Sequence, residues 1–522
     1  MKFLNADQAA ELVPSNTTLL VDGSGGGVNE PGAVLAAIER RFLNTAVPTG
    51  LTVLHISGMG SGNGDGIDYL AHEKLTARVI GGHWAWSRRM QELAADEKIQ
   101  AYCLPQGTLS HLLREIAGGR PGPISQVGLG TFVDPRIDGG RLNLSAIEPV
   151  NELIELGGKT WIHTPAFPID VAVIRATTAD EHGNLTMEGE GLLAETLAAA
   201  QAAKASGGIV IAQVRTRVPY GDLEADRVRV PGVLVDAVVV NPAQRLSFAT
   251  DRDPVLESRE RSADVDIPPI PFNVRKIIAR RAAQEVHAGE VVNLGFGMPD
   301  GVAAVLAEEG VAGEVLFTVE QGHVGGVPAG GTDFGLARNA ESSIDAGAQF
   351  DWYDGGGVDL AVLSFAEVDQ IGNVNVSKFG RRVAGIGGFV NISQGARRVV
   401  FVGTFDAGSQ PTLDGIGHIT LGEPGLRKFV EKVQQISFSG SLAVAEHKHI
   451  LYVSERAVFE LGAEGLTLIE IAPGLDVDRD VIAHMGFTPA ISPDLKEMDA
   501  GIFTNADFSL TLAPTHLEEV SR

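Results

Sequence analysis

The 522-residue chain is poor in cysteine, and its one cysteine, Cys103, excludes an internal disulfide. This predicts a reducing compartment. Cys103 lies in the apolar, strand-like segment 101–104, which favours a buried structural thiol over a catalytic one. The N-terminus lacks the basic start and apolar core of a signal peptide, and no apolar run reaches the roughly 20 residues of a membrane span. We therefore expect a cytoplasmic protein without membrane partners.

Basic residues are also scarce. Asp and Glu number 66 against 41 Lys and Arg, which gives a formal charge of −25, and no basic block offsets it locally. Such a surface repels nucleic acid and anionic membranes, so neither is an expected partner. An anionic substrate would have to be bound by local backbone N–H groups or by a few Arg and Lys side chains.

Several cofactor motifs are missing. The sequence has no His-Glu-x-x-His, Cys-x-x-Cys or calcium-loop pattern, so no metal site is predicted. Glycine clusters follow apparent strands at Gly23, Gly295 and Gly385, but each lacks the third glycine of the dinucleotide fingerprint, and no P-loop occurs. The 64 glycines instead suggest backbone N–H groups arranged around an oxyanion or a long ligand.

The chain is too long for one ordinary core, and it contains an internal repeat. Residues 170–184 match residues 359–373 at six of fifteen positions, and each segment is an apolar strand followed by an Asp-x-x-Gly-Asn turn. Between the halves, residues 251–272 are polar, charged and interrupted by prolines. We predict two related open α/β/α domains with mainly parallel sheets, at residues 1–250 and 273–522, joined by a linker at 251–272.

Glu320 is a carboxylate at a position in the repeat where a side chain can meet a substrate. Residues 316–319 predict a short buried strand, and Glu320 follows it at the start of a glycine-dense turn. The corresponding place in the first half holds Ser57, so only one half carries a carboxylate there. This asymmetry favours a chemical role for Glu320 over a merely structural one. From the residues alone, a general base, a metal ligand and a nucleophile are all open, although companion metal ligands are absent.

The segment 319–331 together with 333–335 resembles the catalytic glutamate segment of the class I CoA-transferases, in their acetate/propionate CoA-transferase branch. The similarity extends over nearly the whole chain, and its further motifs are at residues 81–84, 104–107, 127–136, 372–377 and 385–392.

This resemblance implies that Glu320 is the nucleophile of a ping-pong reaction, which forms a mixed anhydride and then a glutamyl-CoA thioester. A carboxylate is expected to be ionised at neutral pH without an adjacent base. Gly388 would donate an amide to the developing oxyanion, and Gln106 would reach the substrate carboxylate, although a polar turn residue is an equal alternative for Gln106. The residues expected to contact CoA are Gly385, Gly387, Gly388 and Asn373.

The expected partners are an acyl-CoA and a carboxylic acid, such as acetate or propionate. Coenzyme A is expected as a substrate, with no tightly bound cofactor, in a homodimer or homotetramer. Two departures from the family pattern, Ala85-Trp86 and His323, bear on the acyl pocket. We hypothesise that the preferred acid is not simple acetate, with a core position as the alternative for Trp86. Lys378, Arg381 and Arg382 are candidates for CoA phosphates or for solvated surface.

Two other functions remain compatible with this pattern. An acyl-CoA thioesterase would use the same site with water as the acceptor, and a non-catalytic acyl-CoA or metabolite sensor would use the same scaffold. A sensor has no need of a carboxylate at the strand end.

Overall fold

The computed structural model describes residues 1–263, 267–505 and 508–514. The chain forms two compact units, each built from separated segments. The first unit comprises Met1–Ala263, Val319–Asp351 and Ser377–Asn391, and the second comprises Asp264–Thr318, Trp352–Val376 and Ile392–Arg522. These compact units divide the chain differently from the predicted domains at 1–250 and 273–522. The predicted domains describe the two copies of the internal repeat, and they stay a prediction. Residues 264–266 of the predicted linker lie outside the described residues.

The α-helices are short to medium in length. They are α1 (Ala6–Ala10), α2 (Gly32–Thr45), α3 (Arg88–Ala95), α4 (Gln106–Ala117), α5 (Thr196–Ala205), α6 (Val274–Ala283), α7 (Asp300–Glu308), α8 (Ala346–Asp354), α9 (Phe389–Gly395) and α10 (Gly440–Ala445). Within the described residues, no helix has both the length and the apolar composition that spanning a bilayer requires.

The strands before the predicted linker all lie in the first unit. They are β1 (Lys2–Leu4), β2 (Thr18–Val21), β3 (Leu51–His55), β4 (Thr76–Gly81), β5 (Gln100–Cys103), β6 (Ile124–Ser125), β7 (Glu152–Leu156), β8 (Lys159–His163), β9 (Val171–Asp180), β10 (Leu185–Thr186), β11 (Ile209–Val218), β12 (Val228–Val230) and β13 (Ala237–Val240).

The strands after the linker include many two-residue pairs in connecting segments. They are β14 (His287–Ala288), β15 (Val291–Leu294), β16 (Leu316–Val319), β17 (His323–Val324), β18 (Val327–Pro328), β19 (Ala337–Arg338), β20 (Ser342–Ser343), β21 (Leu360–Ser364), β22 (Glu367–Val368), β23 (Val374–Asn375), β24 (Lys378–Phe379), β25 (Arg382–Val383), β26 (Arg398–Val402), β27 (Asp406–Ala407), β28 (Thr412–Leu413), β29 (Ile419–Thr420), β30 (Leu426–Arg427), β31 (His449–Val453), β32 (Ala457–Gly462), β33 (Gly465–Ile471), β34 (Ala490–Glu497) and β35 (Ala513–Pro514).

A parallel sheet organises the first unit, with the strand order β1-β13-β11-β9-β2-β3-β4-β5. Each neighbouring pair along this order is parallel. The central strand β9 is buried along its whole length, as expected for a strand in a sheet that is covered on both faces. The carboxyl ends of β2, β3, β4 and β5 thus lie along one edge, where ligand sites of parallel α/β sheets form.

The second unit has its own sheet, in which β16, β15, β21, β26 and β31 are parallel neighbours. The antiparallel strands β32 and β33 continue it, and β34 pairs in parallel with β33. Helix α6 begins where the side chain of Asn273 accepts a hydrogen bond from the N–H of Lys276 at 3.3 Å, an N-cap contact. The predicted α/β fold with mainly parallel sheets is confirmed in both units.

The predicted repeat has the same geometry in each unit. Asp180 accepts hydrogen bonds from the N–H and side-chain amide of Asn184 at 2.9 and 2.8 Å, and Asp369 accepts the same two from Asn373 at 3.0 Å each. The intervening glycines, Gly183 and Gly372, both have a positive φ, near 80°. Two turns with the same hydrogen bonds therefore follow the two matching strands.

Candidate active site

Glu320 follows strand β16 directly, as the sequence predicts. The chain turns within three residues, because the N–H of Gly322 donates to the carbonyl of Val319 at 3.0 Å. Gly322 has a φ of +119°, and a Cβ there would lie 2.1 Å from the carbonyl oxygen of Ile344, so only glycine fits. The turn therefore displays Glu320 and Gln321 at the strand end instead of continuing the sheet.

The glycine loop at residues 385–388 is fixed against the first half of the sequence. The N–H groups of Ile386 and Gly387 donate to the carbonyl of Gly82 at 3.1 and 2.7 Å. The carbonyl of Gly387 in turn accepts the N–H of Gln106 at 2.9 Å. Gly385 and Gly387 have φ values of +74° and +54°, a conformation that side chains disfavour. The N–H of the next residue, Gly388, takes no part in this network and donates to a different acceptor.

That acceptor is the carboxylate of Glu320. Burial raises the pKa of Glu320 from 4.5 to about 7, while the N–H of Gly388 and the side chain of Gln321 act in the opposite direction. The amide nitrogen of Gln321 lies 3.2 Å from the Oε1 atom of Glu320. The residue as a whole is partly exposed, but burial of its carboxylate removes hydration and so favours the protonated form.

Gln106 approaches the same place from the first residue of α4. A Cβ on Gly387 would lie 3.7 Å from the Oε1 of Glu320 and 3.8 Å from the Oε1 of Gln106. Gln106 is 1% exposed, and its Oε1 has no hydrogen-bond partner within the described residues. The structure therefore brings together three predicted site residues, Glu320, Gln106 and Gly388.

His83 is a further residue of this site, and the sequence reasoning did not assign it. Its Cβ lies 3.8 Å from the position of a Cβ on Gly387, the same distance as the Gln106 oxygen. Burial lowers the pKa of His83 to about 4, and the charges of His55 and Arg382 act in the same direction. The imidazole is therefore neutral at pH 7. His83 lies in the family motif at residues 81–84, but only the structure shows that it borders Gly387. The preceding Gly82 has no room for a side chain, because a Cβ there would lie 2.1 Å from the carbonyl oxygen of Ile56.

Trp86 lies at the carboxyl ends of β2 and β3. A Cβ on Gly25 would come within 3.0 Å of the indole Nε1, and one on Gly58 within 3.1 Å of the indole Cδ1. The ring is partly exposed and packs on these two glycine backbones. A Cβ on Gly58 would also lie 2.6 Å from the Nδ1 of His83, so Trp86 and His83 both pack against Gly58.

His323 is completely buried in β17, where burial lowers its pKa to about 4. Its imidazole is therefore neutral at pH 7, and its predicted effect on the acyl pocket stays a prediction.

Asn373 lies in the second unit, and its side chain is engaged in the repeat turn. Besides donating to Asp369, it accepts the N–H of Gly440 at 3.0 Å. Its counterpart Asn184 accepts the N–H of Gly232 at 2.9 Å in the same way. The turn alone accounts for these contacts, and the predicted contact of Asn373 with CoA stays a prediction.

The site combines a carboxylate, a directed backbone amide, a neutral amide side chain and a neutral imidazole in a partly dehydrated setting. Among the described residues, no group of three or more His, Cys, Asp or Glu side chains is arranged to hold a metal ion. Such a carboxylate can act as a nucleophile toward an acyl carbon, with the Gly388 amide positioned for the charge that develops.

The sequence is similar to known CoA-transferases. The family model described as Coenzyme A transferase matches residues 3–241. Caffeate CoA-transferase of Acetobacterium woodii is 44% identical over 511 residues, which cover 96% of this chain and 97% of that protein. Acetate CoA-transferase YdiF of Escherichia coli (strain K12) is 41% identical over 515 residues, or 98% and 96%. The chain belongs to the CoA-transferase family.

Solved structures agree with this assignment. The crystal structure of the acyl-CoA transferase YdiF apoenzyme from Escherichia coli O157:H7 superposes with a TM-score of 0.94, at 39% identity over 98% of both chains. The thioester complex of the same transferase with CoA gives a TM-score of 0.93. This CoA-transferase therefore shares the fold of its relatives along its whole length, and the predicted family is confirmed.

Proposed function

We propose that this CoA-transferase moves CoA from an acyl-CoA to a carboxylic acid through a thioester on Glu320. A carboxylate oxygen of Glu320 attacks the thioester carbonyl carbon, the carbon–sulfur bond breaks, and CoA leaves as a thiolate. The thiolate then attacks the Glu320 carbonyl carbon of the mixed anhydride, which releases the donor acid as a carboxylate. An acceptor carboxylate reverses both steps and regenerates Glu320.

The observation that carries this proposal is the convergence of the Gly388 amide and the Gln321 amide on the Glu320 carboxylate. Each tetrahedral intermediate places negative charge on an oxygen beside this carboxylate, where a fixed N–H stabilises it without reorganisation. Loss of one such donor typically costs about 3 kcal/mol of transition-state stabilisation. The thioester complex of the YdiF relative with CoA supports the same chemistry.

Gln106 and His83 would orient the reacting acid. Both are neutral, both lie beside Gly387, and neither adds a charge that would oppose an incoming carboxylate. We propose that Gln106 contacts the substrate carboxylate and that His83 lines the adjoining wall of the pocket. Coenzyme A is a substrate in this scheme, and acyl-CoA and free acid are the partners.

The donor acid, which exchanges CoA with the acceptor, is expected to be larger than acetate. The relatives act on caffeate and on acetate, according to their names, so identity alone does not choose between them. The indole of Trp86 packs over Gly25 and Gly58, so we expect it to form an aromatic wall of the acyl pocket beside His83. We therefore expect short-chain acids such as propionate to be the smallest good substrates, with a preference for bulkier acyl groups.

Intact-mass spectrometry tests the covalent step. The protein is mixed with an acyl-CoA and no acceptor, and the expected result is a mass increase equal to CoA minus water. Glu320→Ala should show no adduct and no transfer. Glu314→Gln is the matched control, because Glu314 is an exposed carboxylate just before the same strand.

The rival functions give different results in the same experiment. Steady release of CoA without an acceptor, abolished in Glu320→Ala, indicates a thioesterase. If the wild type shows no adduct and no turnover, the proposal is refuted and the sensor function is what remains.

A further inference from the structure

A cleft in the first unit lies between helix α3 and the tight hairpin formed by β24 and β25. It has a volume of about 530 Å³, and its lining residues are Gly62, Ala85, Arg88, Gln91, Glu92, Ala95, Asp96, Arg381 and Arg382. The hairpin pairs Lys378 with Val383 and Phe379 with Arg382, so its two-residue turn carries one arginine and the following strand begins with another. The cleft is open to solvent, and three of its lining residues are arginines.

Two of these arginines are neutralised locally. Arg88 pairs with Glu92 at 3.1 Å on the surface of α3, and Arg381 pairs with Asp96 at 2.6 Å. The side chain of Arg382 forms neither a hydrogen bond nor an ion pair with any residue in the described part of the chain. The cleft therefore carries one uncompensated guanidinium, in a protein whose formal charge is −25.

This guanidinium is close enough to the reacting groups to influence them. Its charge contributes to the low pKa of His83, which borders Gly387 beside Glu320. Arg382 also precedes Gly385 by three residues, a separation of at most about 10 Å along the chain. Ala85, which lines the cleft, lies between His83 and Trp86 in sequence.

We infer that this cleft binds an anionic group remote from the reacting carbon of the substrate, and that Arg382 is its cation. The inference rests on the proposed transfer function, which requires substrates that carry phosphates or carboxylates. Guanidinium groups bind both kinds of oxyanion through paired N–H donors. Since the overall field repels anions, a local cation is where binding energy for them can be gained.

Two parts of the substrates have this chemistry. One is the phosphates of CoA, and the other is a second carboxylate at the far end of a dicarboxylic acid. Remote binding of either kind also supports catalysis, since its energy can hold the reacting carbon against Glu320.

The test compares Arg382→Gln with the wild type on two substrate pairs. The first pair is an acyl-CoA and the pantetheine thioester of the same acid, which lacks every phosphate. The second pair is a monocarboxylic and a dicarboxylic acceptor of equal length, namely hexanoate and adipate. In one of the two pairs, we expect kcat/KM to fall at least tenfold for the member with the additional anionic group and less than twofold for the member that lacks it.

The pair that responds identifies the source of the anion. Arg382→Lys should recover part of the loss, because it restores the charge without the forked geometry. Arg40→Gln serves as a control, since Arg40 is an exposed arginine of the same unit outside the cleft lining.

The inference is overturned if Arg382→Gln leaves all four substrates within twofold of the wild type, or if it lowers all four equally. Adduct formation by the wild type separates this outcome from failure of the proposed function. If the wild type forms the CoA adduct and Arg382→Gln does not discriminate, only the anion site is refuted.

Discussion

The rate at which Glu320 reacts with an acyl-CoA should rise with pH through a midpoint near 7. Burial raises the pKa of this carboxyl from 4.5 to about 7, and only the ionised form is a nucleophile. At pH 6 about one tenth of the molecules would carry the carboxylate, and at pH 8 about nine tenths. The expected half-reaction rate thus falls about fivefold from pH 7 to pH 6 and about tenfold for the next unit.

Gln321 allows the cause of this midpoint to be tested. Its amide donates to Glu320 at 3.2 Å and so favours the charged form. A hydrogen bond to a charged group contributes about 1.5 kcal/mol at the lower end of its range. Because one pKa unit corresponds to about 1.4 kcal/mol, Gln321→Leu should move the midpoint upward by about one unit.

The assay is a single-turnover measurement of donor-acid release and of enzyme–CoA adduct formation from an acyl-CoA, without acceptor, between pH 5 and pH 9. Omitting the acceptor removes its carboxyl group from the titration. A midpoint near 4.5 would refute the assignment of a dehydrated nucleophile. A raised midpoint that Gln321→Leu leaves unchanged would refute the contribution of this hydrogen bond.

Three further predictions concern other residues. Trp86→Ala should change the preference among a panel of acyl-CoA donors by about tenfold, and an unchanged preference would return Trp86 to a core role. Cys103 should resist a thiol-selective disulfide reagent until the protein unfolds, because it is fully buried and its pKa is raised to about 12; rapid labelling of native protein would contradict this. Arg456→Ala should destabilise the second unit by about 3–5 kcal/mol in urea unfolding, since it leaves Asp406 buried without its 2.7 Å partner; a loss below 1 kcal/mol would be inconsistent with that contact.

Local features of the site could be predicted from the sequence because they depend on neighbouring residues. The strand Leu316–Val319, the turn that displays Glu320 and the burial of Cys103 all follow from short apolar runs and glycines. The turn at Asp369 could be predicted because the same residues recur at Asp180. Family resemblance supplied Gly388 and Gln106, which the structure places beside Glu320.

Features that depend on distant residues could not be predicted in this way. The expectation that Glu320 is ionised at neutral pH took no account of its burial, which raises the pKa of this carboxyl to about 7. His83 joins the site only because Gly82 accepts two hydrogen bonds from residues about 300 positions later. No local pattern reports that pairing.

Under the proposed mechanism, the raised pKa of Glu320 and the suppression of hydrolysis have the same physical origin. An anhydride or thioester at this position survives only if water is kept away, and keeping water away also removes the hydration that would hold the carboxylate ionised. The amides of Gly388 and Gln321 replace part of that hydration with fixed donors that cannot themselves attack the acyl carbon. Under the proposed mechanism, transfer to an acid in place of water therefore depends on a nucleophile whose pKa is raised by burial. A substitution that admits water to Glu320 should lower its pKa and raise acceptor-independent CoA release together, and a variant that changed only one of the two would show that the two properties are separable.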